Sequence, residues 1–391
     1  MAPLQFQFQL RIRSIHLPPL SSTSRSPHRI SCRSMAASPP PPTVRTVSIP
    51  FSHLKERHKD LSAKIEEGFG PQGHGIISVS DVPDFAFLRK KLLYLAPRLA
   101  NLSEDAKRKI EDPDSRYSFG WSHGKETLES GKPDVFKGSF YANPIIDTPT
   151  TDAALLYQYP SFCRPNIWPT TSMPELEAAF KDLGKLIFEV GLLLAHHCDQ
   201  YVMRQGATSK TQGLEETLRR SRCHKGRLLY YFPRSLSECK EVTGSTSSWC
   251  GWHTDFGSLT GLTCGLFTRN SVEVPCPDSS AGLYVQTRNN EVVKVIYGED
   301  ELAYQIGETT EILYSGHLCA TPHCVKAPSG ENAAGVERCT FAMFMQPDWD
   351  ERLKIPEKIT RHGELIQPNQ ALTFGKYTEI LNSKYYRQRT T

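Results

Sequence analysis

The chain has 391 residues, 38% hydrophobic and 23% charged. No run of about 18 uncharged apolar residues occurs, which excludes a helix crossing a membrane. Lysine and arginine number 46 against 42 acidic residues, a formal charge of +4, and Arg11, Arg13, Arg25, Arg29 and Arg33 all fall within residues 1–42, which hold no acid. The rest of the chain is close to neutral, and no nucleic-acid partner is implied.

Residues 1–42 are rich in arginine and serine and end in Ser38-Pro39-Pro40-Pro41-Pro42. This is the composition of an organelle transit peptide with a stiff spacer, and the chloroplast is the expected destination. A start at Met35 would leave the product in the cytoplasm. Eleven cysteines spread from Cys32 to Cys339 without a C-x-x-C pair. They read as buried thiols of an intracellular protein, not as a disulfide framework.

Order is expected to begin at Val47-Ser48-Ile49-Pro50, a strand-like run. Residues 53–70 read as a helix and 73–79 as a turn into a strand. Residues 84–101 are helical, with Phe85, Leu88, Leu92 and Leu95 on one face, and Ser103 caps the helix that follows. A long helix spans about 174–203, with Leu176, Phe180, Leu183, Ile187, Val190 and Leu194 along one stripe. From Arg227 the texture changes to short β-rich segments, including 228–232, 282–286, 292–296, 311–314 and 340–346. A last helix covers about 372–386. The chain divides accordingly into the leader (1–42), a mainly helical region (43–205) and a β-rich core ending in a helix (206–391). The fold class is an all-β core with helices (α+β), a sandwich or barrel buttressed by the N-terminal helical layer.

Trp252-His253-Thr254-Asp255 carries the strongest chemical signal. Side chains at i and i+2 of a strand share a face, so His253 and Asp255 converge on one point. His323, in Thr321-Pro322-His323-Cys324, is the expected third ligand, with His317 as its rival. Two histidines and a carboxylate on one side leave positions open and favour non-haem Fe(II). Arg338 and Thr340 form a second i, i+2 pair, a guanidinium beside a hydroxyl that suits one end of a small diacid. Tyr231 could donate a further hydrogen bond.

Taken together, Arg227-Leu228-Leu229-Tyr230-Tyr231-Phe232-Pro233, His253-Thr254-Asp255-Phe256-Gly257-Ser258-Leu259-Thr260, His323 and Arg338-Cys339-Thr340 resemble the plant 2-oxoglutarate- and Fe(II)-dependent dioxygenases. The likeness is to the isopenicillin N synthase-like branch, and it extends over most of residues 47–386. It implies a distorted double-stranded β-helix, or jelly roll, with iron held by His253, Asp255 and His323. It also implies that Arg338 and Thr340, aided by Tyr231, hold 2-oxoglutarate. The expected reaction consumes O2 and 2-oxoglutarate, with ascorbate as auxiliary reductant, and hydroxylates a small organic metabolite on a monomeric protein. Phe140, Tyr141 and His123 are the candidate substrate contacts. The sequence departs from the family pattern at Leu229, where asparagine is usual, and at Thr340, where serine is usual. An Fe(II) oxidase that needs no 2-oxoglutarate, a non-catalytic jelly-roll binding protein and a zinc hydrolase on the same ligands are the competing readings.

Overall fold

Alternating apolar residues build two large β-sheets in a computed structural model that describes residues 40–126, 133–206, 213–240, 248–359 and 361–387. Of the leader read over 1–42, residues 1–39 lie outside that description. In chain order the first strands are β1 (Thr43–Arg45), β2 (Val47–Pro50), β3 (Ile76–Ser80), β4 (Gly120–His123) and β5 (Lys137–Ala142). They are followed by β6 (Lys225–Tyr231), β7 (Ser248–His253), β8 (Leu259–Leu262), β9 (Leu266–Arg269) and β10 (Val272–Glu273). Then come β11 (Gly282–Gln286), β12 (Val292–Ile296), β13 (Leu302–Ile306), β14 (His323–Lys326) and β15 (Glu337–Met345).

The smaller sheet runs β1-β12-β11-β14-β7. The larger runs β2-β3-β13-β8-β15-β6-β5-β4, with β9 also on β15 and β10 on β9. From β7 to β15 the chain crosses repeatedly between the sheets, and the two inner faces bury their side chains against each other. Leu229, Tyr231 and Ala342 of the larger sheet cluster with Trp249 of β7 and with Ala327. Ile76 and Ala303 meet Val285, Val293 and Val295 at the other end.

The outer face of the larger sheet carries the helical layer. The long helix is Glu175–Arg204, within one residue of the expected bounds, and its predicted stripe from Leu176 to Leu194 is buried against Phe341, Met343, Met345 and Tyr304. Each such side chain is worth roughly 1.5–3 kcal/mol of burial. Two glycines set the close approach. A methyl group at Gly226 would lie 2.6 Å from Phe180 and one at Gly261 would lie 2.3 Å from Ile187. The Tyr304 hydroxyl then donates to the Ile187 carbonyl at 2.6 Å, tying sheet to helix.

Three expectations need correction. The helix read over 53–70 is two short ones, Phe51–Lys55 and Ser62–Phe69, because the intervening charged residues offer no apolar face to bury. The helix read over 84–101 divides at Tyr94 into Phe85–Leu93 and Leu95–Ala100; Pro97 has no N–H for the Leu93 carbonyl. Residues 311–314 are not a strand but the end of a helix, Glu308–Leu313. There tertiary ion pairs override the local pattern: Glu311 meets Arg288 at 2.5 Å and Arg361 at 3.1 Å. The last helix is Phe374–Arg387. No helix among the described residues is long and apolar enough to cross a membrane.

His224, at the foot of β6, is locked neutral. Its Nε2 lies 2.9 Å from the Leu218 carbonyl, which accepts its proton, while Nδ1 accepts from the Gln346 N–H at 3.3 Å. Burial pushes its pKa down to about 4. The unfolded chain takes up this proton near pH 6.5, so its contribution to stability is intact above that pH and is lost as pH falls toward 4. The loss amounts to up to about 3 kcal/mol. Thermal unfolding midpoints should fall across that window, and His224→Gln should flatten the slope; equal slopes in both proteins would count against the assignment.

Candidate metal centre

Strands β7 and β14 run antiparallel with His253 directly opposite His323. Below that pair the register shifts, so that the step from His323 to Val325 matches the longer step from His253 to Cys250. The bulge re-aims the end of β7 and lets both rings share a side, a common use of bulges next to functional sites. The two imidazole centroids are 4.2 Å apart. Asp255, just past the end of β7, brings Oδ1 to 3.8 Å from His253 Nε2. One ligand atom from each of His253, Asp255 and His323 lies within 4.8 Å of the others, a spacing close to what one ion with bonds of about 2.0–2.2 Å spans.

Backbone and neighbours fix which atoms point inward. His253 Nδ1 sits 2.8 Å from the Gly251 carbonyl, and His323 Nδ1 sits 3.2 Å from the Thr321 carbonyl. Each carbonyl accepts a proton from Nδ1, which leaves both Nε2 lone pairs free for a metal. Thr260 Oγ1 donates to Asp255 Oδ2 at 2.6 Å, leaving Oδ1 for the ion. Thr254, between the two ligands, points the opposite way and donates to buried Glu308 Oε1. Glu308 Oε2 also accepts from the Tyr377 hydroxyl at 2.6 Å and lies 3.0 Å from His362 Nε2. The last helix therefore anchors the His-Thr-Asp segment from behind.

The two imidazoles titrate in opposite directions in the metal-free protein. Burial and the nearby His253 push His323 down to about 4. Burial also works against a charge on His253, but Cys250, with Sγ 3.7 Å from Nδ1, and Asp255 overcome it and raise it to about 10.

Facing this centre is the inner side of β5, β6 and β15. Strand register makes three rows there: Lys137, Tyr231 and Arg338; Ser139, Leu229 and Thr340; Tyr141, Arg227 and Ala342. The Arg338 guanidinium lies 5.1 Å from the Tyr231 ring centre and 5.3 Å from that of Trp249. Its Nη1 is buried and has no hydrogen-bond partner among the described residues. Gly265 makes room for it, since a methyl group there would sit 2.5 Å from Arg338 Nε. Thr340 Oγ1 donates to the Thr263 carbonyl at 3.0 Å.

The expected substrate contacts separate by face. Tyr141 stays on the inner side, with its hydroxyl donating to Glu126 at 3.2 Å. Phe140, one residue earlier, turns outward and is fully buried against Trp168 and Phe180 in the helical layer. His123 stands opposite Gly138, on that same outward register, where it stacks on Phe232 at 4.7 Å and bonds the Val135 carbonyl at 2.8 Å. Phe140 thus packs into the helical layer and His123 lies on the same outward register, by the alternation of the strand that carries each. Missed from the sequence were Lys137, Arg227 and Glu126. Glu126 accepts from Arg227 at 2.5 Å and from Lys137 at 2.8 Å on the inner side. Counting back by twos from Tyr231 would have placed Arg227 there. The other two depend on which strand lies beside β6.

No protein-family model and no curated protein matches the chain. Solved structures do. A full-length Neurospora crassa protein in complex with alpha-KG superposes with a TM-score of 0.62 at 18% identity, covering 86% of this chain and 96% of that one. JOX2, solved with 2OG, Fe and JA, gives a TM-score of 0.56 at 15% identity over 89% of this chain and 90% of its own. The fold is that of the 2-oxoglutarate oxygenases. The rice dioxygenase for auxin oxidation gives 0.54 at 16% identity over 87% and 95%. This mixed α/β architecture with large sheets is what those oxygenases share with the present chain.

Two outcomes follow for metal binding. Thr260→Val should weaken Fe(II) affinity about tenfold without unfolding the protein, because it frees Asp255 to rotate; isothermal titration against wild type checks this. At neutral pH, metal must displace the proton held by His253, so binding should release a proton and weaken as pH falls. The measurement is the dependence of the binding heat on buffer ionisation enthalpy, and a null dependence would rule the displacement out.

Proposed function

We propose that the chain is an Fe(II)- and 2-oxoglutarate-dependent oxygenase that hydroxylates a small organic metabolite while 2-oxoglutarate is decarboxylated to succinate. The two interleaved sheets are read as a distorted jelly roll with the metal at its mouth. One observation carries the proposal: a three-ligand cluster confined to one side stands across from a buried guanidinium with an unanswered N–H. A bare buried donor on a charged group is costly, and a carboxylate ligand is what relieves it. A zinc hydrolase has no use for Arg338, and a pure binding module has no use for the triad.

His253, Asp255 and His323 would hold Fe(II), which with 2-oxoglutarate and O2 supplies the oxidising power. The chain's own work is positional. The Gly251 and Thr321 carbonyls keep both imidazoles in the ligating tautomer, and Thr260 keeps one carboxylate oxygen turned inward. Arg338 stays protonated and orients the distal carboxylate of the co-substrate, taking no part in proton transfer. Leu229, Val325, Ala327 and Ala342 form an apolar wall around it that excludes water and strengthens each of these contacts. The polar side chains Lys137, Tyr141 and Arg227 line the part of the inner face beyond Tyr231, where a substrate with polar groups would dock.

Anaerobic addition of 2-oxoglutarate to the Fe(II)-loaded protein should produce a visible charge-transfer band, and oxygen should then yield succinate and CO2 in equal amounts. Arg338→Ala should raise the 2-oxoglutarate requirement at least tenfold with Fe(II) affinity unchanged. Oxygen uptake without succinate would instead identify an oxidase independent of 2-oxoglutarate.

A further inference from the structure

The far end of the co-substrate site contains a second unanswered donor. Trp249 is 5% exposed, and its indole Nε1–H is buried with no hydrogen-bond partner among the described residues, as is Arg338 Nη1. The two side chains are in contact, with the guanidinium 5.3 Å from the Trp249 ring centre. Tyr231 touches both, at 4.7 Å from Trp249 and 5.1 Å from Arg338. Indole can only donate, and a carboxylate can only accept. An orphaned donor in a dry cluster is expensive to maintain, and one anion could answer two that are carried on touching side chains.

Thr340, the neighbour expected to fill this role, has already spent its proton. Its single O–H goes to the Thr263 carbonyl at 3.0 Å, and the Thr263 hydroxyl is itself occupied, donating to the Phe341 carbonyl at 3.2 Å and accepting from the Phe341 N–H at 2.9 Å. Turning this hydroxyl to a carboxylate would break its bond to the Thr263 carbonyl, so a new contact there gains little.

We infer that Trp249 Nε1–H, and not the Thr340 hydroxyl, is the neutral partner of Arg338 in holding the distal carboxylate of the 2-oxo acid. The inference rests on the function proposed above and assigns Trp249 as a residue selecting diacids over monoacids. Leu229 supplies no polar atom beside this site, and the indole on the facing sheet makes up the missing contact.

Trp249→Phe keeps one aromatic ring and deletes the pyrrole half of the indole together with its donor. Anaerobic titration of the Fe(II)-loaded variant should show 2-oxoglutarate binding weakened about tenfold, or ~1.4 kcal/mol. Binding of 2-oxopentanoate, which has the same chain without the distal carboxylate, should change less than twofold, and Fe(II) affinity should not change. Thr340→Val should leave 2-oxoglutarate affinity within about twofold of wild type. The thermal midpoint of ligand-free Trp249→Phe should fall modestly, since the lost ring leaves a small cavity beside Tyr231 and Phe267. Should the variant not fold, the indole Nε1–H resonances of tryptophan-labelled wild type, with Zn(II) replacing iron, provide the second test. One of them should shift with 2-oxoglutarate and not with 2-oxopentanoate. The idea is overturned if Trp249→Phe leaves the diacid affinity unchanged, if it weakens diacid and monoacid equally, or if no indole proton responds. A wild-type protein that binds Fe(II) but no 2-oxoglutarate refutes the proposed function itself, a separate and recognisable result.

Discussion

The pairing of β7 with β14 puts His253 opposite His323, and every other element of the site is arranged around that register. Strand side chains alternate with a period of two, so a slip of one residue would send one imidazole to the far side of the sheet. The bulge below the pair, the two backbone carbonyls that hold Nδ1, and the neighbouring β11 that pairs Val285 with His323 all resist such a slip. Glu308 adds a restraint from a third direction. It holds Thr254, and through Tyr377 it couples the metal-binding segment to the last helix.

The inner and outer faces of the larger sheet serve different ends. Outward residues such as Phe140, Leu228, Tyr230, Phe341 and Met343 join the long helix in the main apolar cluster. Inward residues on the same strands carry lysine, arginine, tyrosine and threonine. The larger apolar cluster thus forms on the outer face, while the inner face combines smaller apolar clusters with charged and polar groups. Arg338 and Trp249 are the clearest cases: each keeps a buried donor that has no partner among the described residues.

Electrostatics point the same way. Two imidazoles 4.2 Å apart cannot both be protonated cheaply; burial disfavours the charge on each, and Cys250 and Asp255 beside His253 leave His323 the neutral one. On the facing sheet, Glu126 lies between Lys137 and Arg227 and lets two cations stay buried side by side. This network joins the helical half of the chain to the β-rich half at the inner face, so the halves distinguished by their sequence texture contribute jointly to one cleft.

Local periodicity made the long helix, the strand character of 228–232 and 340–346 and the i, i+2 ligand pair legible, because each depends only on residues a few positions apart. The candidate third ligand and Arg338 were legible by type and order, since few side chains suit those roles. What local pattern could not reach was anything depending on a partner from a distant segment. The run 311–314 reads as a strand until Arg288 and Arg361 engage Glu311 and its neighbours in a buried helix. That Phe140 and His123 share the outward register depends on the strands paired beside them. The hydroxyl of Thr340 donates to the carbonyl of Thr263, 77 positions away, a partner that no local pattern could name. Sequence alone thus determined which chemical groups the chain carries and at what local spacing. Tertiary structure decided which of those groups are left without a partner, because hydrogen bonds and ion pairs between distant segments use up some donors and bury others bare.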